Sequence, residues 1–299
     1  MKKILLILLI IILGCIPPVL VLYFTFRSVD NNDVKKNINI LFIGNSKTYY
    51  NNFPLMFVNM VNSSDYYKVN DYRVLISPGA SLGEFNSYLR ENEDLFLDIV
   101  GNKKIKYDYV VLQPQIKEAM EGFDQSSYDL SEFLVKKNNR DIKIIINSIW
   151  YKEENNIDNF RFDSGKIELN SFRACSNINR KLTKCSISKS GNCFYGLLNN
   201  TNNKIDLFSE DRLHPSKVGS YLMAYELYKK IYGDIDKINY YGDTTREQAL
   251  ESKKKWIVDK GYLYNVDAID FGVNYNNDSS KKISVFEKNT IDKIVKKYG

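Results

Sequence analysis

The sequence predicts an α/β fold, a three-layer α/β/α sandwich with a central parallel sheet. Three observations predict it: short apolar runs typical of buried strands, intervening stretches long enough for a helix, and helical periodicity in several of those stretches. The chain has 299 residues, a mass of 34.8 kDa and 44% hydrophobic residues, so it can bury a full core. We therefore expect one domain of catalytic size after an N-terminal segment.

Strands and helices are predicted in alternation along the chain. Gly, Pro, Asn or Asp borders each apolar run, which favours strands over fragments of helix. The predicted strands are INILFIGNS (38–46), YRVLISPG (72–79), YDYVVLQPQ (107–115) and DIKIIINSIW (141–150). The predicted helices are 53–63, 82–100, 126–139, 167–184, 216–232 and a last one near 245–258.

Two internal stretches and the C-terminal part carry weaker patterns. Residues 150–166 and 186–206 are polar and rich in Asn, so we expect loops at the rim of a site. The pattern predicts a domain over residues 38–235 and an accessory C-terminal extension over 236–299.

The chain opens with MKKILLILLIIILGCIPPVLVLYFTFRS, which has an apolar run over residues 4–26. A helix of that length spans roughly the 30 Å hydrocarbon core of a membrane. No small-residue cleavage site follows the run, so we expect an uncleaved transmembrane signal anchor, followed by a polar linker over 27–37. Lys2 and Lys3 predict that residues 1–3 are cytoplasmic, which places the domain outside the cell.

The four cysteines leave two questions open. Cys15 follows Gly14 as in a lipoprotein cleavage box, which is an alternative anchor, although the apolar run after it fits poorly. Cys175, Cys185 and Cys193 lack metal-site spacing. A Cys185–Cys193 disulfide outside the cell and free buried thiols are the two alternatives for them.

Charge and histidine content exclude two classes of partner. Lys and Arg exceed Asp and Glu by six, but the basic residues are spread along the chain and form no nucleic-acid-binding motif. His214 is the only histidine, so no multi-histidine metal site can form. We expect no nucleic-acid partner, no metal and no cofactor.

Polar stretches follow the predicted strands, where ligands bind in open α/β sheets. They are GNSKT (44–48), PGAS (78–81) and QPQ (113–115), and DRLHP (211–215) could complete the set. Over roughly residues 37–233 this order resembles the SGNH/GDSL hydrolase family. The resemblance implies an SGNH-hydrolase-like, flavodoxin-like sheet order and ester-hydrolysing activity.

Three residues in these stretches suit nucleophilic catalysis. Ser46 follows Gly-Asn in a tight turn before a helix, and His214 is the only imidazole that could take its proton. Asp211, three residues before His214, could bond Nδ1–H and leave Nε2 free to accept that proton. We therefore expect Ser46, His214 and Asp211 to form a catalytic triad.

The resemblance also implies an oxyanion hole, made by the backbone N–H groups of Ser46 and Gly79 and a side-chain amide. The family has Gly-x-Asn-Asp in its third block, whereas this chain has Gln113-Pro114-Gln115. Either Gln could supply the donor, and Gln115 matches the family's spacing better.

The flanking residues of the first and last blocks have further candidate roles. Asn45 replaces the family's Asp, and Asn45 and Lys47 are candidates for substrate binding. Lys47 could instead be a solvated charge, as we expect for Arg212.

Each of these residues also has a plainer interpretation. Ser46 could cap a helix, and Gly79 could serve a type II turn after Pro78. Gln113 and Gln115 could be polar strand ends, and His214 an exposed loop residue. Their order at successive strand ends favours the catalytic interpretation.

The sequence thus predicts a membrane-anchored, extracytoplasmic serine esterase. Its expected substrate is an acetyl or other short acyl ester on a cell-envelope or extracellular glycan, or a small ester. An O-acyltransferase with the same triad, and a non-catalytic glycan-binding or assembly protein with the same fold, are alternatives. The sequence does not indicate an oligomeric state.

Overall fold

Strands and helices alternate along the chain as the apolar pattern predicts. The structure is a computed structural model, which describes residues 36–93, 106–138, 141–151, 164–199, 205–233, 238–258 and 282–299. The strands are β1 Lys36–Gly44, β2 Tyr67–Ile76, β3 Tyr109–Leu112, β4 Lys143–Asn147, β5 Cys185–Ser188 and β6 Trp256–Val258. The helices are α1 Ser46–Tyr49, α2 Phe53–Asn62, α3 Leu82–Glu91, α4 Ile116–Glu121, α5 Asp124–Asn138, α6 Ser164–Lys181, α7 Ser190–Leu198, α8 Lys217–Tyr232, α9 Arg246–Lys253 and α10 Val285–Tyr298, with a 3₁₀ turn at Tyr50–Asn52.

The six strands form one sheet in the order β5-β4-β3-β1-β2-β6. The pairs β1/β3, β3/β4, β4/β5 and β2/β6 are parallel, and the register places Val111 beside both Phe42 and Ile145. The first five strands have the flavodoxin-like order 2-1-3-4-5. This confirms the predicted parallel sheet.

Alternate side chains of β1 pack on opposite faces of the sheet. Ile40 and Phe42 join a core with α2, α7, α8 and α10. Leu41 and Ile43 join a second core with α3, α4, α5 and α6. Because both faces are covered, the strands are almost continuously apolar, and the structure is the predicted three-layer sandwich.

The expectation of a loop over residues 186–206 is wrong for its first half. Residues 185–188 form edge strand β5, and residues 190–198 form helix α7. The edge strand has the sequence CSIS, and only Ser188 is buried, so it carries no apolar run that would reveal it. Its place depends on backbone pairing with β4.

Of the two alternatives for the cysteines, a free buried thiol is correct for Cys193 alone among the three. Cys175 of α6 forms a disulfide with Cys185 of β5, with the Cα atoms 5.3 Å apart, while Cys193 is buried and free. The Cys185–Cys193 alternative is therefore wrong. The disulfide joins the edge strand to the helix that precedes it.

The described part of the C-terminal region belongs to the domain. The helix predicted near 245–258 ends at Lys253, and Trp256 then pairs beside Val74 in β6. Helix α10 buries Ile291, Ile294 and Val295 in the same core as α2 and α8. Residues Asn37–Gly299 form one compact unit.

Among the helices of the described ranges, none is both long and apolar enough to cross a membrane. The predicted anchor at 4–26 and Cys15 lie outside those ranges, as does nearly all of the linker.

Candidate active site

The ends of β1, β2 and β3 meet at one edge of the sheet. The Ser77 amide, just after β2, donates to the Gly44 carbonyl at 3.3 Å. The Gln113 amide, just after β3, donates to the Ile43 carbonyl at 2.9 Å. The first three polar stretches therefore lie side by side, as predicted.

Ser46 is the first residue of α1 and is half-buried. Asn45 before it is buried, and its side-chain Nδ2 donates to the Ala80 carbonyl at 3.1 Å. The asparagine of Gly-Asn-Ser therefore ties the first loop to the second. The Thr48 and Tyr49 amides donate to the Asn45 carbonyl at 2.8 and 3.3 Å, so only the first two amides of α1 are left without an acceptor in the helix.

Asp211 builds the loop that carries His214. Its Oδ1 accepts hydrogen bonds from the Ser209 hydroxyl at 2.6 Å and from the Leu213 and His214 amides at 2.9 and 3.0 Å. Its Oδ2 lies 2.5 Å from His214 Nδ1. One carboxylate thus holds both the backbone and the imidazole.

These contacts set the protonation of the pair. Burial raises the pKa of Asp211, but its bonds with His214, Ser209 and the two amides outweigh burial and hold that pKa well below its usual range. Burial lowers the pKa of His214 from 6.5, and the charge of Lys47 acts in the same direction, while Asp211 opposes both. Because Asp211 is ionised, Nδ1 carries the proton, and Nε2 of the neutral ring is an acceptor.

Tyr50 brings the serine and histidine segments together. Its amide donates to the Ser46 carbonyl, so the two residues are one helical turn apart on the same side of α1. The Tyr50 ring stacks on the His214 imidazole, with centroids 3.9 Å apart and planes 7° apart. Its hydroxyl lies 3.5 Å from Asp211 Oδ2. His214 therefore contacts the residue that directly follows helix α1.

The chain reverses sharply after Tyr50. Asn51 and Asn52 have φ values of 52° and 50°, in the left-handed region that Asn tolerates better than most residues. Asn51 Nδ2 donates to the Pro215 carbonyl at 2.8 Å and to the Ser220 hydroxyl at 2.9 Å. The role of Tyr50 was not identified from the sequence. The consecutive Asn51 and Asn52, which favour a turn, were the available signal.

Lys47 is not solvated, so that alternative is wrong. The side chain is buried, and Nζ donates to the Leu213 carbonyl at 3.4 Å. Nζ also lies 4.9 Å from the centre of the Trp150 ring, and Trp150 Nε1 donates to the same carbonyl at 3.2 Å. Arg212, in contrast, is half-exposed, which agrees with its predicted surface position, and it forms a salt bridge with Asp206 at 2.9 Å.

The two glutamines have different surroundings. Gln113 is buried, its Oε1 accepts from the Thr48 hydroxyl at 2.8 Å, and its Nε2 donates to the Pro114 carbonyl at 2.6 Å. Gln115 is half-buried and caps α4, with its Oε1 accepting from the Glu118 amide at 3.2 Å. The carbonyl of each glutamine has a structural role, and Gln113 also uses its amide nitrogen within the protein.

Gly79 lies in the turn that its plainer interpretation predicted. The Ala80 amide donates to the Ser77 carbonyl at 3.2 Å, Pro78 precedes Gly79, and Gly79 has φ 72°. These features define a type II turn. The turn's own hydrogen bond uses the Ala80 amide, which leaves the Gly79 amide outside it.

Glu118 joins the second and third loops and was not found by sequence reasoning. Its carboxylate accepts from the Leu82 amide at 2.9 Å, the Ser126 hydroxyl at 2.7 Å and the Gln115 amide at 3.3 Å. The available signal was the spacing of Gln115 and Glu118, which forms a capping box.

Within the described ranges, no cluster of three or more His, Cys, Asp or Glu residues is arranged to hold a metal ion.

No protein-family model matches the chain, and no curated protein sequence matches it. Solved structures with a similar fold include a protein from Slackia heliotrinireducens provisionally named an SGNH hydrolase, with 21% identity and TM-score 0.47, covering 66% of this chain and 100% of that one. The acetyl xylan esterase AlAXEase has 17% identity and TM-score 0.44, covering 65% and 100%. A Clostridium thermocellum family 3 carbohydrate esterase has 14% identity and TM-score 0.42, covering 65% and 94%.

A substitution at Gly44 tests how tightly the residues around the start of α1 pack. A Cβ atom at this position would lie 2.1 Å from Thr48 Oγ1 and 2.9 Å from Gln113 Cβ. We expect Gly44→Ala to lower the free energy of unfolding by about 1–3 kcal/mol through overpacking, measured by urea denaturation. Gly83→Ala, in α3, is the control. The added Cβ would meet no atom closer than 3.7 Å, so this variant should be as stable as the parent or more stable. Equal stability of both variants would contradict this packing.

Proposed function

We propose that the chain is a serine ester hydrolase with Ser46 as nucleophile, His214 as general base and Asp211 as the group that orients the base. The observation that carries the proposal is the bond between Asp211 and His214 Nδ1, in a ring stacked on Tyr50 one turn after Ser46. The bond to Nδ1 supports the tautomer that a general base needs, and the stacking on Tyr50 supports a position of the ring near the serine.

The reaction follows from these roles. His214 Nε2 takes the Ser46 hydroxyl proton as Oγ attacks the ester carbonyl, and the imidazolium passes that proton to the departing alcohol. A water molecule, deprotonated by the same nitrogen, then attacks the acyl-enzyme; the bond to Ser46 Oγ breaks, the imidazolium returns its proton to Oγ, and the carboxylic acid is released. The ionised Asp211 stabilises the imidazolium in both halves, because it stays bonded to Nδ1.

The proposed oxyanion donors are the Ser46 and Gly79 amides and the Gln115 side chain. Gln115 is preferred to Gln113 because the Gln113 amide nitrogen already donates within the protein. The Glu118 carboxylate supports this arrangement. It accepts hydrogen bonds from the backbone amides of Gln115 and of Leu82, the first residue of α3.

The proposed substrates are short acyl esters, acetyl esters above all, on cell-envelope or extracellular glycans. The proposed location supports them, with a membrane anchor at 4–26 and the domain outside the cell. The Cys175–Cys185 disulfide supports that location, since such bonds persist in oxidising compartments.

Ser46→Ala should lower hydrolysis of a small acetyl ester by roughly 10³-fold or more, because the nucleophile is lost while the fold is kept. The parent should also react with a fluorophosphonate probe at Ser46, detected by mass spectrometry. Equal rates for parent and variant, or an unlabelled Ser46, would favour the non-catalytic binding protein.

The pH dependence should report His214 alone. The pKa of the ring is lowered below 6.5 and the base must be neutral, so kcat/KM should rise with pH through a midpoint below 6.5 and then level off. Rates of ester hydrolysis from pH 4.5 to 8 measure this. A rate without an acidic limb would exclude His214 as the base.

Gln115→Ser retains an oxygen that can cap α4 but removes the amide donor. We expect kcat to fall about 10² to 10³-fold with little change in KM, because the bond strengthens as charge develops on the oxyanion. Full turnover in this variant would remove Gln115 from the oxyanion hole.

The proposed location predicts that the full-length protein sediments with membranes. A protease added to intact protoplasts should degrade the domain. Immunoblotting of the chain measures this degradation. Protection of the domain until the protoplasts are lysed would place it in the cytoplasm and refute an envelope substrate.

A further inference from the structure

Lys47 is a buried cation next to the proposed nucleophile. Its side chain is 2% exposed, and it forms no salt bridge with the acidic groups of the described ranges. Burying an ammonium group without an ion pair is costly, and the burial lowers its pKa to about 8, although Asp211 acts in the opposite direction. A methionine of similar length would fill this space without that cost, so the charge itself calls for an explanation.

The partners of Lys47 lie on two other parts of the fold. Nζ donates to the Leu213 carbonyl at 3.4 Å and lies over the Trp150 ring, and Trp150 Nε1 donates to the same carbonyl at 3.2 Å. One carbonyl therefore accepts hydrogen bonds from α1 and from the segment after β4. A bond from a charged donor is stronger than one between neutral groups.

Leu213 directly precedes His214 and lies two residues after Asp211. Its amide donates to Asp211 Oδ1 at 2.9 Å, and its carbonyl carbon is bonded to the His214 nitrogen. Asp211 thus holds the amide side of this residue, while Lys47 and Trp150 hold the carbonyl side. The loop also contains Arg212 with φ 56°, a left-handed conformation that has to be held by its surroundings.

We propose that Lys47 is a positioning residue that ties the loop carrying His214 to the helix carrying Ser46, through the Leu213 carbonyl, and that its buried charge, held at the residue next to His214, acts on the imidazole. The role in hydrolysis rests on the proposed function, whereas the effect on the imidazole does not. The groups that face His214 are Asp211 at Nδ1, the Tyr50 ring on one face and the charge of Lys47.

A single histidine makes this directly measurable. The full-length chain labelled with [¹³C]histidine gives one imidazole signal, which reports the pKa of His214 without any assay of activity. In Lys47→Met that pKa should rise, because a nearby positive charge has been removed. Lys143→Met is the matched control: Lys143 also lies over an aromatic ring, that of Tyr109 at 5.0 Å, but it begins β4 at the opposite end of the sheet.

Activity provides the second readout. Lys47→Met should lower kcat about 10- to 100-fold, the scale of a lost hydrogen bond from a charged group, with KM little changed because Lys47 is buried. Lys143→Met should keep the parent's kcat and His214 pKa. An unchanged His214 pKa in Lys47→Met would overturn the proposal even if Ser46 is labelled by a fluorophosphonate. A raised pKa in a chain without esterase activity would refute the proposed function and leave the electrostatic role standing.

The parent chain tests the proposal if Lys47→Met fails to fold. Because Lys47 loses its proton near pH 8, the imidazole signal of the parent should move in a second, smaller step there, well above the titration of His214 itself. Lys143→Met should show the same second step. A signal that stays constant from pH 7 to 9 would overturn the proposal.

Discussion

The site depends on one carboxylate, that of Asp211. Its Oδ1 accepts the Ser209 hydroxyl and two backbone amides, so it folds residues 209–214 into a tight loop. Its Oδ2 accepts from His214 Nδ1, so the same group fixes the tautomer of the imidazole. Those hydrogen bonds outweigh the effect of burial and keep the carboxylate ionised. One carboxylate therefore fixes both the loop and the tautomer of the imidazole, which explains why two intervening residues between Asp211 and His214 are enough.

The parallel sheet supplies what a local loop cannot, which is a cluster of polar residues from distant parts of the sequence. Strands that run in the same direction end at the same edge, so the residues after β1, β2 and β3 are neighbours although they are far apart in sequence. Short polar links then fix the distances: Asn45 bonds the Ala80 carbonyl, and Thr48 bonds Gln113. These links give two residues structural roles: Asn45 serves the second loop, and Gln113 supports the helix after Ser46. Gln115 is the residue proposed as the oxyanion donor.

Sequence patterns predicted the parts of the fold that depend on apolar burial. Four strands and six helices were located because their apolar residues recur with the period of each element. Edge strand β5 escaped because CSIS is mostly polar, and β6 because three residues next to a helix carry too short a pattern. The Cys175–Cys185 pairing requires α6 and β5 to be neighbours, a tertiary fact. The candidate triad could be predicted because its residue types are rare in combination, whereas Tyr50, Glu118 and the burial of Lys47 arise only when distant loops meet.

Burial and two charged neighbours act on the protonation of His214 in different directions. Burial and the charge of Lys47 both favour the neutral ring, which is the form that accepts a proton. Asp211 favours the imidazolium, because its carboxylate is bonded to Nδ1. Since Asp211 is bonded directly to the ring while Lys47 is bonded to the neighbouring carbonyl, the two charges act on one group from different distances. The carboxylate therefore favours the charged form of the ring at close range, while burial, which has the largest effect, and the lysine favour the neutral form.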